Sequence, residues 1–72
     1  MDETTQLQQW FDGQGITLTI LAKKTGLSLS YLSRIMSGER AVSDTVKLRI
    51  GKAYGYDEMD RIFANNGNGR SQ

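Results

Sequence analysis

Neither cysteine nor histidine occurs anywhere in this chain of 72 residues. Disulfides, thiolate or imidazole metal sites and the usual nucleophile–base pairs are therefore outside its chemistry. Its eight carboxylates are scattered, and no glycine-rich phosphate loop accompanies them, so the sequence offers no catalytic constellation and reads as a non-enzyme without cofactor or metal. No apolar run approaches the roughly 20 residues that a membrane-spanning helix needs. The opening MDETTQ is acidic and polar, unlike a signal peptide, and a cytoplasmic location is expected, with no membrane partner and no small-molecule ligand. A chain of this length supports one domain with a single small core.

What the sequence does have is strong punctuation near its centre, in residues 17–38, TLTILAKKTGLSLSYLSRIMSG. Thr17 and Ser28 are each placed to cap a helix by accepting a hydrogen bond from a backbone N–H two or three residues on. Gly26 and Gly38 stand where those helices must stop, because a left-handed residue past the last turn costs glycine little. Leu21 and Ala22 share a face of the first helix, Leu32 and Ile35 a face of the second, and Leu27 plugs the turn. Two helices of about nine residues joined by so short a link must cross steeply.

Leu21-Ala22, Gly26, Ser28, Leu32-Ser33-Arg34-Ile35 and Gly38, with Gly15 and Thr17 ahead of them, resemble the pattern of the Cro/repressor-type helix-turn-helix family, the lambda-repressor-like DNA-binding domains. With flanking helices the resemblance extends over roughly residues 7–63. It implies an all-α domain of five short helices, here residues 1–64, whose second motif helix enters the major groove of double-stranded DNA.

The remaining elements follow in order. A first helix over residues 1–12 is expected, capped by Asp2 or Thr4, with Leu7, Trp10 and Phe11 on its core face. The run Gly13-Gln14-Gly15 should break it, and Ile16 is placed as a hydrophobic staple before the Thr17 cap. Ser43 can cap a fourth helix over 44–54, whose buried stripe is Val46, Ile50, Ala53 and Tyr54, leaving Lys47, Arg49 and Lys52 outside it. Gly51 weakens that helix unless a close backbone approach requires it. Gly55 ends it, Asp57 can cap a short fifth helix, and Met59, Ile62 and Phe63 turn inward. Residues 65–72, NNGNGRSQ, lack periodicity and apolar content and are expected to form a frayed tail.

Net charge is only +1, but its distribution is uneven. Lys23, Lys24, Arg34, Arg40, Lys47, Arg49 and Lys52 face only Glu39 and Asp44 in the middle of the chain, so seven cations against two anions leave +5 between mildly acidic ends. That suits one phosphate-facing surface, or an ordinary solvated one. By helical spacing the outward set of the second motif helix is Leu29, Ser30, Ser33 and Arg34, with Tyr31 to one side, and the resemblance assigns base contact to these positions. Arg34 can donate two bonds to a guanine edge, Leu29 can lie against a thymine methyl, and Ser30 and Ser33 can donate or accept. The alternatives for Arg34 are a phosphate contact or an ion pair with Glu39. Phosphate contacts are expected from the helix starts at Thr17 and Ser28 and from Lys23, Lys24 and Arg40, although the two lysines also suit a plain role at the negative end of their helix.

Three departures from the family pattern bear on function. Leu18 replaces a glutamine that commonly anchors the first motif helix to phosphate. Ile20 stands at a usually polar position, where it is either core or part of an apolar patch with Leu18 and Leu29. Phe11 and Met36 replace an arginine–glutamate pair, and their packing avoids the desolvation of two charges. Because one such helix contacts few base pairs, a homodimer on a pseudo-palindromic operator is expected, with Leu48 and Tyr56 as its candidate surface. Leu48 could equally be an isolated surface leucine. The implied function is a small Cro-like repressor, of phage or mobile-element type, that covers a promoter. Its rival is a protein-interaction module that binds another regulator or polymerase through the Leu18, Ile20 and Leu29 patch.

Overall fold

A computed structural model describes residues 2–63 of the chain, and among these it contains five helices and no strand: α1 (Glu3–Gln14), α2 (Leu18–Thr25), α3 (Leu29–Met36), α4 (Asp44–Tyr54) and α5 (Tyr56–Ile62). The tail expected over 65–72 lies outside the described residues. The architecture is the all-α arrangement the sequence implies.

Four of the five helices start on a side-chain cap of the same kind. Asp2, Thr17, Ser28 and Ser43 each accept a hydrogen bond from the backbone N–H three residues on, at Thr5, Ile20, Tyr31 and Val46. Each bond satisfies one of the N–H groups that a helix start leaves without an intrahelical partner. α1 runs two residues further than expected. Gly13 is accommodated within the helix, and the chain turns only at Gly15, which takes the left-handed conformation at φ 68°. A glycine inside a helix weakens it without ending it.

α5 also departs from expectation. Asp57 does not cap it: the helix begins at Tyr56, directly after Gly55, with no side-chain cap bond. Asp57 and Glu58 instead occupy the first turn, where negative charge faces the positive end of the helix dipole. Gly55 ends α4 as expected, its N–H donating to the Gly51 carbonyl at 2.8 Å.

Two apolar clusters make up the core. Leu7, Ile35, Val42, Val46, Ile50, Ile62 and Phe63 form the larger, between α1, α4, α5 and the inner face of α3. Leu21, Ala22 and Leu32 form the smaller, between α2 and α3. Trp10, Leu27, Met36 and Tyr54 pack against both and join them into one body. Of the expected α4 stripe, Val46 and Ile50 are fully buried, whereas Ala53 and Tyr54 are half-buried and Gly51 is buried in their stead. Ile16 packs on the cluster that contains Leu21, four positions into α2, as a hydrophobic staple does. Phe11 and Met36 pack against that same cluster.

Polar ties fix α1 across the bundle. The Trp10 indole N–H donates to Glu58 of α5 at 2.7 Å, and the Gln8 amide donates to the Met36 carbonyl at the end of α3. Lys47 of α4 is ion-paired with Glu3 and lies over the Phe63 ring. α1 thereby holds the far end of α3 in place and leaves the opposite face of that helix uncovered.

Candidate nucleic-acid interface

α3 is short, but both its ends are fixed. The Ser28 hydroxyl accepts the Tyr31 N–H at 3.0 Å, and the Ser37 N–H donates to the Ser33 carbonyl at 3.0 Å. Gly38 then turns at φ 87°, which lets the N–H groups of Glu39 and Arg40 both reach the Arg34 carbonyl, at 2.9 and 3.2 Å. Leu32 and Ile35 are fully buried, so the rotation of α3 about its axis is set by the core. With that rotation Leu29, Ser30, Ser33 and Arg34 are all exposed, and Tyr31 is half-buried at the margin. The four expected base-contact positions therefore share one solvent-facing arc. Tyr31 has a task of its own: its hydroxyl meets the Ser43 hydroxyl at 3.1 Å, linking α3 to the cap of α4.

The expected phosphate contacts are exposed too: Thr17 before α2, Lys23 and Lys24 on it, Ser28 before α3, and Arg40 after it. Their side chains are not equally free. Lys24 places its ammonium 5.7 Å from the centre of the Tyr54 ring, within cation–π range. Among the described residues Arg34 makes no ion pair. The Glu39 carboxylate, its possible partner, instead accepts from the Ser37 hydroxyl at 3.3 Å. Lys47, tied to Glu3, is withdrawn from the basic centre that the sequence suggested.

Leu18 does not share a face of α2 with Ile20. Leu18 is half-buried and packs on the Leu21–Ala22–Leu32 cluster, lining a groove of about 320 Å³ with Gln8, Phe11, Asp12 and Met36. Ile20 lies two residues on, which turns it by about 200° to the opposite side of α2, and it is 40% exposed. Leu29 is 46% exposed at the start of α3. Leu48 and Tyr56, the candidate dimer surface, are 53% and 49% exposed on α4 and α5.

Two residues that shape the interface were not singled out from the sequence. Thr25 is buried; its hydroxyl donates to the Leu21 carbonyl at 2.7 Å and receives the Leu27 N–H at 3.4 Å, so it ties the end of α2 to the turn. Its spacing, four after Leu21 and three after Ala22, was the signal that it shares their buried face. Arg49 of α4 lays its guanidinium over the same turn, with Nη1 2.9 Å from where a β-carbon on Gly26 would be. Gly26 is required by its φ of 77°, which L side chains rarely adopt, whereas the Arg49 tip could swing aside for a β-carbon. No local pattern in the sequence announces a contact between residues so far apart.

Among the described residues no group of acidic side chains could hold a metal ion, and no helix is long and apolar enough to cross a membrane. A family model described as helix-turn-helix matches residues 7–60, well over half of the chain. No curated protein and no solved structure matches it.

Proposed function

The chain belongs to the Cro/repressor-type helix-turn-helix family, a family of DNA-binding regulators, and from that premise we propose a sequence-specific repressor that binds operator DNA as a homodimer. The observation that carries this reading is the exposed arc of Leu29, Ser30, Ser33 and Arg34 on a helix whose rotation is fixed by the buried Leu32 and Ile35. A rigid helix presenting two hydroxyls, one guanidinium and one apolar side chain suits the mixed donor, acceptor and methyl pattern of the major groove.

Arg34, which has no partner competing for its guanidinium among the described residues, reads a guanine through its O6 and N7. Backbone N–H groups at the starts of α2 and α3, beside Thr17 and Ser28, bind phosphate together with Lys23 and Arg40. Lys24 divides its charge between phosphate and the Tyr54 ring. A second copy, paired through the surface that includes Leu48 and Tyr56, places its own α3 about one helical turn away along the DNA. Occupancy of a promoter by that dimer excludes polymerase.

Selection from a random-sequence DNA pool at two salt concentrations tests this reading. A pseudo-palindrome with half-sites about one turn apart supports it, together with an affinity that falls with salt at a log–log slope of about −0.9 per neutralised phosphate. Salt-insensitive retention of a protein partner would favour the rival reading through an apolar surface. That rival is weakened by the placement of Leu18 on the packed side of α2, away from Ile20.

A further inference from the structure

Leu29 is the first residue of α3 and stands 46% exposed directly after the Ser28 cap. Arg34 is five residues further on, also exposed. Five residues of α-helix advance about 7.5 Å and turn by about 500°, which leaves the two side chains about 140° apart around the axis. Ser30 and Ser33 lie between them on the exposed arc. Leu29 and Arg34 thus mark opposite margins of that arc, separated along the axis by about two base-pair steps of roughly 3.4 Å each.

The two margins differ in what they can sense. Arg34 recognises paired acceptors, whereas Leu29 carries no donor or acceptor and is blind to the difference between the O4 of thymine and the N4 amine of cytosine. The major-groove feature left for it is the apolar group at C5 of a pyrimidine. From this geometry we infer that Leu29 reads a pyrimidine 5-methyl group regardless of the base that bears it, about two base pairs from the guanine read by Arg34. Thymine and 5-methylcytosine are then equivalent at that position, and uracil and unmethylated cytosine are both disfavoured. A half-site with cytosine there is consequently strengthened by cytosine methylation, so the state of the DNA, as well as its sequence, sets occupancy. The inference rests on the reading of α3 as the base-contacting helix.

The test uses the whole chain and an operator obtained by selection. Each thymine of a half-site is replaced in turn by deoxyuridine, which removes only the methyl group, and then by 5-methylcytosine opposite guanine. One position is expected at which deoxyuridine weakens wild-type binding by about fourfold, the equivalent of one buried carbon, while 5-methylcytosine restores it. Leu29→Ala, a change at an exposed position, is expected to bind the thymine and deoxyuridine duplexes equally. A 7-deazaguanine about two base pairs away is expected to weaken the wild type and leave Arg34→Ala indifferent. A selected operator at which deoxyuridine substitution never matters, or a Leu29→Ala variant that keeps the methyl preference, overturns the inference and leaves the DNA-binding reading standing. If no sequence is enriched at all, both fall together.

Discussion

The ring of Tyr56 occupies the space where a side chain on Gly51 would begin, its nearest carbons 2.6 and 2.7 Å from an ideal β-carbon there, with the Met59 sulfur at 3.4 Å. α5 folds back on α4 through this contact, and only a residue without a β-carbon admits it. Helix propensity taken alone favours Gly51→Ala by about 1 kcal/mol. The packing reverses that sign: Gly51→Ala is expected to destabilise the fold in chemical denaturation by about 1 kcal/mol, because the ring must leave α4. In a Tyr56→Ala background the same substitution is expected to stabilise. A stabilising Gly51→Ala in the native background would refute the contact as the reason for glycine here.

Thr25 provides a second stability test, placed inside the motif. Thr25→Val keeps the shape of the side chain and removes the hydroxyl's bonds to the Leu21 and Ala22 carbonyls, leaving the Leu27 N–H without that acceptor. A loss of about 1–2 kcal/mol is expected. Thr25→Ser keeps the bonds, gives up one methyl group and should lose less. The opposite order in equilibrium unfolding would mean that packing of the methyl, and not the hydroxyl, secures the turn.

Acid should loosen α1 first through its cap. The backbone N–H of Thr5 holds the Asp2 carboxyl below the usual carboxylate range. A carboxyl with a lowered folded pKa contributes stability that is fully present above about pH 4 and is lost as pH falls through the folded value. Asp2→Asn keeps a capping oxygen without titrating there. Thermal melts between pH 2 and 6 should show the wild type losing its advantage over Asp2→Asn as the solution is acidified. A difference between the two that stays constant with pH would contradict the assignment.

Tyr54 behaves in the opposite sense. Its hydroxyl is buried without a hydrogen-bond partner among the described residues, and burial pushes the phenol upward. Its contribution is present below about pH 10 and is lost as pH rises through the folded value, because ionisation is easier in the unfolded chain. Tyr54→Phe removes the orphaned hydroxyl while leaving the edge-to-face contact with the Trp10 ring, whose centre is 5.0 Å away. It is expected to be neutral to stabilising by about 1 kcal/mol at neutral pH. It should also resist alkaline unfolding better than the wild type. A clear destabilisation at neutral pH would reveal a partner for that hydroxyl.

Much of this molecule was legible because its punctuation is local. Thr17, Ser28 and Ser43 cap within three residues of themselves, and the left-handed turns at Gly15, Gly26 and Gly38 belong to single positions. The outward direction of Leu29, Ser30, Ser33 and Arg34 followed from the helical period once Leu32 and Ile35 were taken as core. What escaped the reading depends on packing between distant segments: Arg49 on Gly26, Tyr56 on Gly51, Lys47 drawn to Glu3. Asp57 is a good capping type, which puts the expected start of α5 two residues late. The preceding Gly55 supplies the turn without any side chain.

The most direct test of the central claim is the affinity of Arg34→Ala, beside the wild type, for a selected operator and for duplexes altered at its guanines, measured across salt. α3 as the reading helix predicts that the variant loses about 1–3 kcal/mol on the operator and no longer distinguishes the altered guanine. A variant that binds the operator as tightly as the wild type, with the same salt dependence and the same preference among the altered duplexes, would contradict it.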